Sequence, residues 1–392
     1  AGAVLAGSAE QGLSTATSGM LQSPNFLYRV ETNSVDAGTG RLKYDGLSMA
    51  TRLSYALTGS PPSPALLDAA AAGQLDTAEG VSAAAASLLT DDRFADRMTD
   101  FFSEYTQLAQ VTQIAKSETL FPTFTPELQS SMLEGSLLFI RNVVLGANAD
   151  VRSFYTSDQV YVDANIAPLY GVSAPASGFE QVTLPANSGR AGILGQVAVI
   201  AGKSQADRTS ATRRGIFVLQ SFMCQTAPAP PGGVDLNVPP PDENSTTRQN
   251  LAAHREEPAC ATCHSYFDPL GLAFEHFDPI GQYRETENGL AIDATGEVNG
   301  VAFDGAAELA TVLSENPKVL ACLVQNLYRD TNGRSEKPDM AQIESLTAAL
   351  AARGYVWNSF LADFVASEAF RSAPALPVTA ESPTLPDTTE SL

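Results

Sequence analysis

The sequence has few cysteines, few histidines and few basic residues, and each shortage excludes a class of function. Four cysteines and three histidines occur among 392 residues, which leaves little for a second metal site or a Ser-His-Asp arrangement. The 23 Lys and Arg residues face 44 Asp and Glu residues, and the formal charge is −21. Such an acidic chain does not fit electrostatic binding to DNA, RNA or an anionic membrane surface.

Long apolar runs and a positively charged leader are also missing. No stretch approaches the roughly 18 to 20 apolar residues that a membrane span needs, and residues 1–12 lack the basic start of a signal peptide. A glycine-rich phosphate loop is absent as well. We therefore expect a soluble, already processed chain without a membrane span.

The sequence is rich in alanine and leucine at helical spacing, which predicts a mainly α fold. Thr125 and Pro126 form a strong helix start, because threonine caps a helix and proline suits its first position. The predicted helices cover residues 47–57, 64–72, 77–89, 94–108, 126–145, 158–169, 210–224, 306–313, 317–328, 340–352 and 356–370.

Changes in composition divide the chain into regions. A multi-helical domain is expected over residues 1–188 and a second domain over 189–289, in which a proline-rich arm at 227–241 is predicted to be extended. Residues 290–372 are expected to form a small β-hairpin, turning near Thr295-Gly296, followed by helices. The Pro-, Thr- and Ser-rich residues 373–392 predict a disordered tail.

The second domain contains the run Cys260-Ala-Thr-Cys263-His264. Two thiols at this spacing reach the two vinyl groups of one haem, and the histidine that follows supplies a ligand to the iron. We therefore expect one covalent haem c and a cytochrome c-like haem-binding region. Two other interpretations are a zinc site completed by His254 and a thioredoxin-like redox pair, although zinc sites usually split their ligands into two separated pairs.

The sequence leaves the identity of the second axial ligand of the iron undecided. His254 is the first candidate, because six residues before Cys260 span up to about 20 Å and reach the opposite face of a haem. His276 and the thioethers of Met223 and Met340 are further candidates, although a methionine in a helix is more often part of the core. With none of them bound, one face of the iron is open to oxygen or peroxide.

Residues around the motif are predicted to form the haem pocket. Apolar side chains expected to exclude water are Phe267, Leu270, Leu272, Phe274 and Phe277. Asp268-Pro269 and Asp278-Pro279 predict two similar tight turns. Arginines that could pair with haem propionates are Arg208, Arg213, Arg214, Arg248, Arg255 and Arg284.

Cys224 and Cys322 remain after the motif is assigned. They form either a disulfide, which suits an oxidising compartment, or two buried thiols. The sequence does not give the Cα separation that would decide between them.

Several segments resemble a family of large secreted cytochrome-like proteins of planctomycetes and myxobacteria, built from three consecutive domains of unknown function. The segments are SPNFLYRVE (23–31), LSYALTGSPP (53–62), RAGILGQ (190–196), SATRRGIFVLQ (210–220), residues 254–285, IDATGEV (292–298) and Gly333-Arg334. The resemblance covers nearly the whole chain and implies a periplasmic or extracellular, mainly helical, monohaem protein. It also implies a histidine at His254, a methionine where Phe267 stands, and further domains before Ala1 in longer members, so that this chain is a fragment or a processed form.

These observations predict a monohaem c-type cytochrome that passes single electrons to a redox partner protein. One alternative is a haem-dependent peroxidase or oxygenase that uses an open iron face, and the roughly 200 residues before the motif favour it, since about 100 residues suffice for a simple domain. Another is a structural subunit of an extracellular electron-conducting assembly, with identical or different chains as partners.

Overall fold

The computed structural model describes residues 8–146, 148–226 and 242–375, and helices dominate it. Helices α1 to α9 are Ala9–Leu21, Pro24–Leu27, Gly46–Thr58, Pro64–Ala71, Ala78–Leu88, Arg93–Thr106, Pro126–Phe139, Ser153–Thr156 and Ala167–Tyr170. Helices α10 to α18 are Val197–Gly202, Ala211–Phe217, Thr247–His254, Pro258–Leu272, Gly305–Glu315, Pro317–Asn332, Met340–Ala352, Trp357–Ala366 and Glu368–Arg371. No helix in these ranges is both long and apolar enough to cross a membrane.

Most predicted helices are confirmed, and α7 begins where its capping signals predict. The side chain of Thr125 accepts a hydrogen bond from the Leu128 amide, and Pro126 occupies the first helical position. The helix continues into a π-helical turn at Ile140–Val144, close to its predicted end. The second domain repeats this arrangement, because α11 continues into a π-helical turn at Val218–Phe222.

The strands are short and lie in four small sheets. Strands β1 to β9 are Asn33–Val35, Leu42–Tyr44, Gln159–Val162, Glu180–Thr183, Thr286–Glu287, Leu290–Ala291, Thr295–Val298, Val301–Asp304 and Ser372–Ala373. One sheet has the order β1-β2-β9, and the others are the antiparallel pairs β3-β4, β5-β6 and β7-β8. Since β9 pairs with β2, Ser372 and Ala373 lie beside Lys43 and Leu42.

The helix predicted over residues 158–169 is wrong. Strand β3 occupies residues 159–162, and only α9 at 167–170 is helical. Val160 and Val162 are buried, while Gln159 and Tyr161 are partly exposed. Burial of every second residue, among β-branched and aromatic side chains, is the signal of a strand. In a segment of only four residues, the same alternation is easily mistaken for part of a helical pattern.

Two hairpins replace the single hairpin predicted over residues 290–303. Their turns are Asn288-Gly289 and Asn299-Gly300, and all four residues have positive φ. Thr295 and Gly296, expected at the turn, lie inside β7. Asn-Gly is the strongest short hairpin signal, so both turns were readable in the sequence.

Two predicted irregular segments cannot be compared in full. The proline-rich arm at 227–241 and the tail from residue 376 lie outside the described residues. At the start of the predicted tail, Ala373 belongs to β9 and pairs with Leu42. The ordered chain therefore extends past the predicted boundary at residue 373.

One continuous cluster of buried apolar side chains runs from Tyr44 to Phe370 and includes all three predicted regions. Trp357 of α17 stacks on Phe101 of α6, with ring centroids 6.1 Å apart. Arg334, from the Gly333-Arg334 turn, donates hydrogen bonds to the Tyr44 hydroxyl and the Ser372 carbonyl. The first and last regions therefore pack directly on each other.

Helices α11 and α13 touch backbone to backbone. A Cβ atom added at Gly215 would lie 1.8 Å from the Phe267 carbonyl oxygen, and one added at Gly271 would lie 1.7 Å from the Ala211 carbonyl oxygen. Only glycine leaves room for such an approach. The contact fixes the helix that carries the cysteine motif.

Replacing Gly215 or Gly271 with alanine is expected to destabilise the protein by about 1–3 kcal/mol or more, because the added methyl group overpacks a backbone contact. Urea unfolding measures the change. Gly202→Ala is the matched control, since no atom lies within 4 Å of a Cβ built at the last residue of α10. Unchanged unfolding midpoints for both glycine variants would contradict the contact.

Candidate functional site

The cysteine motif lies in the first half of α13. This helix begins with Pro258 at its first position, a residue that suits a helix start because its missing N–H is not needed there. The spacing of Cys260, Cys263 and His264 is i, i+3 and i+4, which places all three side chains on one face of the helix. Both cysteines are half-buried thiols.

The imidazole of His264 is held by the carboxylate of Asp268. Nδ1 of His264 lies 3.1 Å from both carboxylate oxygens, so its N–H donates to a group that is itself 0% exposed. Burial raises the pKa of Asp268, and the His264 imidazole opposes this shift. A histidine that donates through Nδ1 keeps Nε2 available as a metal ligand.

The Asp268-Pro269 turn predicted from the sequence is wrong, since both residues lie inside α13. Asp268 is one helical turn after His264 and also lies 3.4 Å from the Thr212 hydroxyl on α11. The i, i+4 spacing of His264 and Asp268 was the signal that the turn interpretation missed. The second predicted turn is correct, because the carboxylate of Asp278 accepts from the amides of Ile280 and Gln282.

The residues predicted to form the pocket wall are buried. Phe267 packs edge to face on the His264 ring, with centroids 4.9 Å apart. Leu270 lies two turns beyond Cys263 on the same face of the helix, and Phe274 follows the end of α13. All three side chains belong to the apolar core, and their contact with a haem stays a prediction.

His254, at the end of α12, lies against His264. The two rings meet edge to face with centroids 4.7 Å apart. Two metal–nitrogen bonds of about 2 Å each, added to the ring radii, place opposing imidazole ligands about 6 Å apart. His254 therefore reaches the site but is too close to His264 to bind the opposite face of one metal without an outward shift of α12, a helix with no buried side chain.

The environment of His254 favours its neutral form. Desolvation lowers the pKa of His254, and the neighbouring His264 lowers it further. A neutral imidazole is the form that binds metal ions.

The other candidate axial ligands lie in different surroundings. His276 stacks on Tyr283, and its Nδ1–H donates to the Arg284 carbonyl at 2.9 Å. Met223 is part of the apolar core. Met340 is the first residue of α16. The ring contacts of His264 are instead with His254 and Phe267.

A chain of charges ties α12 to α11 and α13. Arg214, buried on α11, lies 3.6 Å from Glu275, which accepts a hydrogen bond from Arg284 at 3.1 Å. Glu287 lies 3.5 Å from Arg284 and accepts from the amide of Thr247 in the first turn of α12. Burial raises the pKa of Glu275, and Arg214 opposes this shift. Two arginines expected beside haem propionates, Arg214 and Arg284, thus pair with protein carboxylates.

Cys224 and Cys322 form a disulfide. It joins the end of the π-helical turn after α11 to α15, across 98 residues. The prediction that left a disulfide and two thiols open is resolved in favour of the disulfide.

The donor set on α13 fits covalent attachment of one haem. Attachment needs two thiols and one imidazole on a common face, and Cys260, Cys263 and His264 provide them, with Asp268 fixing the ring. In the described ranges, no group of three or more His, Cys, Asp and Glu side chains is arranged to hold a metal ion. The zinc site of Cys260, Cys263, His264 and His254 therefore has no support.

Three families match the chain one after another. The family described as protein of unknown function DUF1592 matches residues 45–172, DUF1588 matches 190–287 and DUF1585 matches 299–370. Neither a curated protein nor a solved structure matches the chain. The cysteine motif and Asp268 lie in the second match. The chain thus contains three consecutive matches to families of unknown function, as the sequence resemblance led us to expect.

Proposed function

We propose that the chain is a monohaem c-type cytochrome that transfers single electrons. Cys260 and Cys263 would hold the haem through thioether bonds, and Nε2 of His264 would bind the iron. The observation that carries the proposal is that two thiols and one imidazole share a face of α13, with the imidazole fixed by the buried Asp268. Haem bound in this way supplies a one-electron couple.

Asp268 has two effects in this proposal. It accepts the Nδ1 hydrogen of His264 and so directs Nε2 toward the metal. A carboxylate partner also makes the imidazole more basic, which favours the ferric over the ferrous ion and lowers the reduction potential. Phe267 packs edge to face on the ring and shields part of it, and the His264 side chain is 18% exposed.

The proposed place of action is the periplasm or the outside of the cell, with a redox protein as partner. The Cys224–Cys322 disulfide suits an oxidising compartment. The formal charge of −21 suits a partner with a basic surface, which would be steered to this chain by complementary charge.

Production of the chain together with a c-type haem maturation system tests covalent attachment. We expect one haem to stay on the denatured chain, as added mass in intact mass spectrometry and as haem absorbance on a denaturing gel. Cys260→Ser combined with Cys263→Ser removes both thioether bonds, whereas the matched pair Cys224→Ser and Cys322→Ser keeps the haem. Wild-type chain that carries no covalent haem would falsify the proposal.

His254→Ala tests the second axial ligand. If His254 binds the iron, the wild-type spectrum is low spin and insensitive to carbon monoxide or cyanide. The variant then becomes high spin and binds either of these ligands. His276→Ala is the control, because His276 bonds to Arg284 instead. A spectrum that His254→Ala leaves unchanged removes His254 from the metal site.

The same experiment tests the second candidate function, a haem peroxidase or oxygenase. The observation that favours it is that α12, which carries His254, has no buried side chain and so adds none to the apolar core. Ready binding of carbon monoxide or cyanide by the wild-type chain would exclude the six-coordinate carrier and support the enzyme.

Asp268→Asn is expected to raise the reduction potential without changing the spin state, because asparagine keeps a hydrogen-bond acceptor but removes the negative charge beside His264. A spectroscopic redox titration measures the shift. Asp278→Asn is the matched control, since this carboxylate caps a turn. Equal potentials for both variants and the wild type would show that Asp268 does not act on His264.

A further inference from the structure

A cleft separate from the α13 motif opens where the three matched families meet. Two cavities, of about 280 and about 170 Å³, share Tyr283 in their linings. Tyr170 of the first match and Arg190 of the second line the larger cavity, and Asp304 of the third match lines the smaller one. Ligand sites occur preferentially at such junctions between domains.

Arg190 is positively charged, lines the larger cavity and is only 5% exposed. Three of the five N–H groups of its guanidinium donate to the carbonyls of Leu169, Gly195 and Gly281. The other two have no acceptor in the described part of the chain, and no carboxylate there lies within ion-pair distance of Arg190.

The charge of Arg190 is therefore balanced by carbonyl dipoles and not by a paired anion. Burial lowers the pKa of Arg190 to about 10, and Tyr170 and then Asp278 oppose this shift. A buried cation without a paired anion is costly, and an anionic ligand in the cavity would relieve that cost.

Aromatic rings surround this guanidinium and form the walls of the cleft. Its centre lies 4.9 Å from the ring centroid of Tyr170 and 4.4 Å from that of Phe277. Tyr283 lies against Gly189, where a Cβ would come within 3.2 Å of the ring. Tyr170 and Phe277 are buried and lie against the guanidinium itself, whereas Tyr283 is 41% exposed. An exposed aromatic ring accepts a flat apolar group by stacking, and a guanidinium fork matches the geometry of a carboxylate.

We propose that this cleft binds a small organic carboxylate with a flat apolar body, its carboxylate paired with Arg190 and its body against Tyr283. The proposal does not depend on haem, because none of Cys260, Cys263, His264 and His254 lines either cavity. A failure here leaves the cytochrome proposal standing, and the reverse also holds.

Benzoate is the probe, titrated into the full chain by calorimetry and by thermal unfolding. We expect benzoate to bind and to raise the melting temperature as its concentration passes the dissociation constant. Benzamide, which has the same shape without the charge, should bind at least about tenfold more weakly, as expected from loss of a hydrogen-bonded charge. No binding of benzoate, or equal binding of benzamide, overturns the proposal. Binding of inorganic phosphate but not benzoate also overturns it.

Arg190→Lys tests the guanidinium directly. The lysine keeps the positive charge but lacks the forked guanidinium, and should weaken benzoate binding by about tenfold or more. Arg208→Lys is the matched control, because this side chain is 53% exposed and pairs with Asp207. Asn187→Trp, on the exposed rim of the larger cavity, blocks the entrance without touching Arg190, and so tests the site even where Arg190→Lys does not fold. If Asn187→Trp and a folded Arg190→Lys both leave the benzoate affinity unchanged, benzoate does not bind in this cleft.

Discussion

The backbone contact between α11 and α13 is the constraint on which the rest of the site depends. Because Gly215 and Gly271 have no side chain, the two helices approach to carbonyl contact. This approach brings Thr212 of α11 within 3.4 Å of Asp268, the carboxylate that holds the His264 ring. Two glycines therefore act indirectly on the orientation of the imidazole. Gly271 lies seven residues after His264 on α13, and Gly215 lies on α11.

Buried arginines connect further segments of the chain to one another through hydrogen bonds. Arg214 donates to the carbonyls of Phe274, Phe277 and Asp278, and so shapes the turn that follows α13. Arg52 reaches Glu31 and the Phe370 carbonyl, which joins the first and last regions. Both have a carboxylate beside them, whereas Arg190 bonds to carbonyls and lies against the rings of Tyr170 and Phe277. Of these three arginines, Arg190 lines the larger cavity and has no carboxylate partner among the described residues.

Much of the helical fold could be predicted from the sequence, because apolar spacing and caps such as Thr125 are local signals. Strand β3 was mistaken for helix, since four alternating residues carry less information than a longer helical period. Asp268-Pro269 has the local signal of a turn, yet both residues lie inside α13, which packs against α11. The motif residues could also be predicted, because their spacing is a local signal. The helix contact at Gly215 and the cavity beside Arg190 have no local sequence signal, because both depend on which distant segments meet.

The segment after α13 connects the proposed haem site to the cleft. Its first carbonyls are held by Arg214, next to Gly215, while Phe277 and Tyr283 further along line the cavities. A shift of α13 cannot be absorbed at the glycine contact, because the backbones already touch. Arg214 of α11 donates to the carbonyls of Phe274 and Phe277. The glycine contact and this arginine therefore hold one end of a segment whose other end, at Tyr283, lines the cleft. All three matched regions contribute side chains to the one apolar core that supports this segment.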